Sequence, residues 1–121
     1  MADSTAVSAA LAELVSIANA AMTSDQRVTR AAPVLSGAGL SVGDVIGALQ
    51  SPDLAWTVNK ASAFGIPVQS WLEAVDIVCH PRPADLPGLL ECLHKSESAA
   101  AMVKAGYRAT RDPAGKVAWS R

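Results

Sequence analysis

Aromatic side chains are scarce in this chain. Trp56, Phe64, Trp71, Tyr107 and Trp119 are all of them, about 4% of the sequence, whereas half of the residues are apolar. A core must therefore come from aliphatic side chains, and alanine, leucine and valine supply most of them. That composition suits helices packed closely on one another and excludes disorder over most of the chain. Cysteine is nearly absent too. Cys79 and Cys92 alone make neither a disulfide framework nor a metal set, and two reduced core thiols are expected. His80 and His94 do not complete a zinc site with them. Cys79 and His80 are adjacent, hence about 100° apart on a helix, and Cys92 and His94 sit too close for paired ligands.

Catalytic patterns are missing as well. Neither histidine accompanies a nucleophile motif, and Glu13, Asp76 and Glu91 are scattered along helical stretches. Gly37-Ala38-Gly39 has no strand before it and no lysine after it, so it is not a phosphate loop. The chain reads as a non-enzyme with no cofactor and no metal. Its first residues, Met1-Ala2-Asp3-Ser4, contain no basic region ahead of an apolar run, and no stretch reaches the ~20 uninterrupted apolar residues of a spanning helix. A soluble, cytoplasmic protein with no membrane partner is the expectation.

Hydrophobic periodicity predicts a mainly α fold of about six or seven short helices. Residues 5–22 carry Val7, Leu11, Leu14, Val15, Ala18 and Met22 at helical spacing. The opposite face is small and nearly uncharged, so this helix is either buried on two sides or the seam of a homodimer. Thr23-Ser24-Asp25 caps a second helix, which Pro33 should cut short. Ser41 and Asp44 have capping-box spacing for a third, with Val42, Val45, Ile46 and Leu49 inward. Pro52 is expected at the start of a fourth, whose stripe is Leu54, Val58 and Ala61 with Trp56 to one side. A fifth places Leu72, Val75 and Val78 inward.

Residues 57–75, through Ala61, Gly65, Ile66 and Trp71, resemble the helix-turn-helix spacing of phage-type repressors. The second helix of that pair would expose Val68, Gln69, Ser70 and Glu73, with no lysine or arginine nearby to hold phosphate. An ordinary bundle corner is the preferred reading. His80-Pro81-Arg82-Pro83 then interrupts the chain, dividing a helical part, residues 1–80, from a C-terminal unit, residues 84–121.

The C-terminal unit carries the functional signal. Net charge is −1, but residues 95–121 hold six basic side chains against two acidic ones, and residues 1–94 hold four against nine. An acidic body with a basic edge is the pattern of a surface that meets polyanions. Asp85 is expected to cap a helix over residues 86–94, and Ser96-Glu97-Ser98 to open a second one ending at Gly106. Tyr107 to Arg111 and Lys116 to Arg121 then flank Asp112-Pro113-Ala114-Gly115, a turn composition between two short strands. Tyr107, Val117 and Trp119 alternate with polar residues and should pack this hairpin on the helices.

The string KAGYRATRDPAGKVAWSR, helix end, glycine, basic strand, turn and strand, resembles the end of winged helix-turn-helix proteins. The resemblance covers about the last third of the chain. It departs from the pattern in a short, alanine-rich second helix with one basic side chain, which weakens base reading more than phosphate contact. It implies a small non-catalytic protein that binds double-stranded DNA, as a transcription regulator or replication accessory. Lys95, Ser98, Lys104, Arg108, Arg111, Lys116 and Arg121 are then the DNA-binding residues. The alternative is a protein-binding adaptor or inhibitor that blocks a partner by covering its surface.

Overall fold

The computed structural model describes residues 4–80 and 82–121. Met1, Ala2 and Asp3 at the start of the chain, and Pro81 in the proline-rich break, lie outside the described residues. Among the described residues six helices precede one antiparallel hairpin: α1 (Ser4–Ala18), α2 (Ser24–Ala38), α3 (Val42–Leu49), α4 (Ala55–Phe64), α5 (Val68–Val78), α6 (Leu86–Lys104), β1 (Arg108–Arg111) and β2 (Val117–Ser120).

α1 is central and packs against α2, α3, α4 and α6, while α5 lies along α6. Leu11 and Leu14 of α1 share one core with Val45 and Leu49 of α3, Trp71 and Val75 of α5, and Leu89 and Leu93 of α6. Burying each aliphatic side chain of this size contributes about 1.5–3 kcal/mol. Trp56 tilts against the buried Trp71 with ring centroids 5.4 Å apart. A second, smaller cluster of Ala74, Ala99 and Ala109 takes in Ile77, Val78, Val103 and Trp119 and joins the hairpin to α5 and α6.

Caps explain several boundaries. Thr23 and Gln26 form a reciprocal capping box on α2, and Ser41 and Asp44 form one on α3. The Ser41 backbone N–H donates to the Asp44 carboxylate at 2.9 Å and the Ser41 hydroxyl accepts from the Asp44 N–H at 3.1 Å. The backbone bond first, then the hydroxyl beside it, holds the Asp44 carboxyl below its usual range. The first helix stops at Ala18 rather than at Met22. Asn19 turns its side chain back onto the Val15 carbonyl at 2.9 Å, and Thr23 has to be extended to cap α2.

Pro33 does not shorten α2, which runs through it to Ala38. The proline sits on the exposed side, and caps at both ends, with Ala31 and Leu35 buried, outweigh the one hydrogen bond it removes. α4 starts at Ala55, not at Pro52, because Pro52 belongs to a turn that lets Leu54 enter the core. Its inward face is Leu54, Thr57 and Ala61, and Val58 is instead 41% exposed.

The largest departure is α6. Residues 86–94 and 98–106 are not two paired helices but parts of one helix of 19 residues. Ser96 caps nothing: it is buried in mid-helix, where its hydroxyl donates to the Cys92 carbonyl one turn back at 2.8 Å. Glu97 is held by Lys60 of α4 at 2.5 Å, so the serines that suggested a break lie within a stretch braced from outside. The helix ends where expected, with Gly106 at φ 91° and the Tyr107 N–H returning to the Met102 carbonyl.

The cysteines are the other correction. Cys79, at the end of α5, is disulfide-bonded to Cys92 of α6, with Cα atoms 5.3 Å apart, so they are not free thiols. Their separation of 13 residues hid the proximity that the α5–α6 packing creates. Disulfides persist in oxidising compartments and are rare in the cytosol, so this link and the expected cytoplasmic placement pull in opposite directions.

Two measurements check this packing. A Cβ at Gly88 would lie 2.8 Å from Asp85 Oδ1 and 2.9 Å from Pro83 Cβ, whereas one at Gly47 meets nothing within 4 Å. In urea unfolding, Gly88→Ala should therefore cost about 1–3 kcal/mol, and Gly47→Ala, in an exposed helical site, should add about 0.5–1 kcal/mol. Reducing the Cys79–Cys92 link should lower the unfolding free energy by roughly 3 kcal/mol on chain-entropy grounds, read by denaturation with and without a thiol reductant.

Candidate nucleic-acid interface

β1 and β2 pair in the register Arg108 with Ser120, Ala109 with Trp119, Thr110 with Ala118 and Arg111 with Val117. Alternation along each strand gives the hairpin two faces. Ala109, Arg111, Val117 and Trp119 turn towards the helices, and Arg108, Thr110, Ala118 and Ser120 turn to solvent. The turn between the strands is held by its own backbone and by Asp112. The Gly115 N–H donates to the Asp112 carbonyl at 2.9 Å, and the Lys116 N–H to the Asp112 carboxylate at 2.8 Å. Tyr107 is half-buried, as its alternation with polar neighbours implied.

Arg111 anchors the hairpin rather than offering a free charge. Its Nη2 donates to the backbone carbonyls of Ile77 and His80, and its Nη1 to the Gly115 carbonyl at 2.5 Å. One guanidinium thus spans the C-terminal end of α5 and the hairpin turn. A cation there satisfies carbonyls that the helix leaves open and meets the negative end of its dipole.

The other predicted contacts divide in the same way. Lys95 pairs with Glu91 one turn earlier at 3.0 Å, and both are well exposed, an arrangement that contributes little. Arg121 lies over the Tyr107 ring, 4.8 Å from its centroid, and reaches the Ala105 carbonyl at 3.5 Å. Lys104 in the last turn of α6, Arg108 on the outer face of the hairpin and Lys116 at its turn are exposed, and their side chains make no ion pair or hydrogen bond among the described residues. Ser98 is exposed on α6.

Between α6 and the hairpin runs a groove of about 570 Å³. It gathers Lys95, Ser98, Arg111 and Lys116 of the predicted set, and leaves Lys104, Arg108 and Arg121 outside. His80 and His94 also line it, as do Met102 and Trp119, none of which the sequence had singled out as binding residues. The alternation that turned Trp119 inward was visible; that its indole would border an open groove depended on where the hairpin docked.

His94 is oriented from outside the groove. Asn19 donates through Nδ2 to Val15, which leaves its Oδ1 as the acceptor facing His94 Nδ1 at 2.7 Å. The neutral imidazole then carries its hydrogen on Nδ1 and its lone pair on Nε2. A second cleft of about 570 Å³ lies on the other side of His94, between the start of α6 and the α1–α2 turn. There Arg27 is committed to the Ala20 carbonyl, donating from Nη2 at 2.8 Å and from Nε at 3.3 Å.

Among the described residues no three His, Cys, Asp or Glu side chains converge in a way that could hold a metal ion. No single helix among them is long and apolar enough to cross a membrane. No family model matches the chain, and no curated protein or solved structure matches it either.

Replacing Arg111 tests its anchoring role. Arg111→Ala should detach the hairpin, seen as loss of amide protection across residues 108–120 while the core of α1 and α5 stays protected. Arg111→Lys should not restore it, because an ammonium cannot span the three carbonyls as the planar guanidinium does.

Proposed function

We propose that this chain is a small non-catalytic protein that binds double-stranded DNA through the edge formed by the end of α6 and the hairpin, in the manner of a winged-helix protein. The reading is supported chiefly by charge: Lys104, Arg108 and Lys116 are exposed and unpaired on one end of an otherwise acidic body. The order of elements agrees, since the hairpin follows α6 directly, as a wing follows a recognition helix, and α6 packs on α5.

The chemistry favours phosphate contact over base reading. Beyond Lys95, the exposed side chains on α6 are Ser98, Ala101 and Lys104, a set with a single cation and one hydroxyl. Non-specific phosphate contact needs only exposed cations, whereas sequence reading needs side chains aimed at base edges. A role in transcription control or as a replication accessory would then depend on placement along DNA more than on a tightly defined operator.

Fluorescence anisotropy of a labelled random duplex, titrated with protein at low and moderate salt, tests this reading. Binding should weaken steeply with salt. In a Lys104→Ala/Arg108→Ala/Lys116→Ala variant the slope of log K on log salt should flatten by about 0.9 for each lost phosphate contact. Arg111 is left intact in that variant so that the hairpin stays docked. Absence of binding at low salt would overturn the proposal and turn attention to a protein partner, for which the exposed Val58 on α4 is the one large apolar side chain on offer among the described residues.

A further inference from the structure

We infer that the groove between α6 and the hairpin holds an unpaired nucleotide, so that the preferred ligand is DNA with a single-stranded segment. This rests on the nucleic-acid reading above and narrows its substrate. A duplex laid across the basic edge could touch the rim of the groove with its phosphates, but its stacked bases could not enter it. A free base could.

The groove's chemistry is divided as a nucleotide is. Its floor is apolar: Val78, Ala99, Met102 and Val117 lie beside the indole of Trp119. Trp119 is half-buried, with Ala74, Ala99 and Ala109 packed against it, which fixes the ring while it still borders open space. A held aromatic ring is a stacking platform for any base, because every base has a π-face. The walls are cationic. Lys95 lines the groove from α6, and Arg111 and Lys116 line it from the hairpin. Lys95 is paired with Glu91 and Arg111 donates to carbonyls, so Lys116 is the uncommitted cation of the three.

No carboxylate lines the groove. Glu91, the nearest acidic partner of this wall, is paired with Lys95 and lines the clefts on the other sides of α6. Charge complementarity therefore selects an anion, and the apolar floor selects one that carries a flat apolar part. The Ser98 hydroxyl and the imidazoles of His80 and His94 offer hydrogen bonds along the same walls. A space of about 570 Å³ falls in the range of pockets that enclose small organic ligands.

The test uses the full chain with two labelled probes, a short oligo-dT strand and a blunt-ended duplex, followed by anisotropy and by tryptophan emission. Oligo-dT should bind more tightly than the duplex and quench emission, since Trp119 is the one tryptophan in the groove, Trp71 being buried and Trp56 packed on it. Trp119→Leu should remove the quenching and weaken oligo-dT binding on the order of tenfold, the scale of one base–aromatic stack.

Because Trp119 also packs the hairpin, Ser98→Glu is the second variant. It places a carboxylate on an exposed groove wall without touching the core, and should likewise weaken oligo-dT binding on the order of tenfold. Duplex binding without oligo-dT binding, or oligo-dT binding indifferent to both variants, would overturn the groove assignment and leave the basic edge standing. Failure of both probes at low salt would overturn the two proposals together.

Discussion

The seating of α6 along α1 and α5 is the contact on which the other features of this molecule depend. Leu89 and Leu93 enter the common core from α6, and one turn beyond them Ser96 and Ala100 continue the buried face. A helix that ended at His94 would leave the hairpin starting from an unsupported connection. Because α6 instead continues to Lys104, it carries Gly106 and the first strand past the end of α5. Everything proposed about binding follows from that placement.

Three different interactions hold the α5–α6 corner, and they act at different levels. The apolar core gives the two helices their common direction. The Cys79–Cys92 bond ties them covalently where the chain crosses between them. Arg111 then fastens the hairpin to the last carbonyls of α5. The satellite cluster beneath the hairpin consists mainly of small side chains, so its apolar contribution is modest. A charged group meeting several carbonyls contributes more per residue than another alanine would. That explains why a residue predicted to meet phosphate is occupied in holding the fold.

The basic edge is consequently built from two kinds of cation. Arg111, and to a lesser degree Lys95 and Arg121, have partners within the chain, whereas Lys104, Arg108 and Lys116 are exposed without them. Of the committed groups, Lys95 and Arg111 line the groove, together with the free Lys116. Under the proposed function, the free groups are the ones that would displace counterions from a polyanion. Counting the charges in residues 95–121 shows where the basic side chains lie along the chain but could not separate those with partners from those without.

Local chemistry was readable in the sequence where the cause was local. The cap at Thr23-Ser24-Asp25, the capping box at Ser41, the glycine exit at Gly106, the Asp112-Pro113-Ala114-Gly115 turn and the inward alternation of Val117 and Trp119 depend on neighbours within a few residues. These determined a helical chain with a C-terminal hairpin. What only the tertiary structure decided was each case in which distant groups compete with a local preference. Pro33 and Ser96 carry breaking or capping signals that packing overrides, since burial over a whole helix face outweighs one lost or diverted hydrogen bond. Cys79 finds Cys92, Arg111 finds Ile77, and the groove beside Trp119 opens, because α5, α6 and the hairpin come together across tens of residues. Spacing along a chain records which residues can share a face, but distance between faces exists only once the helices have packed.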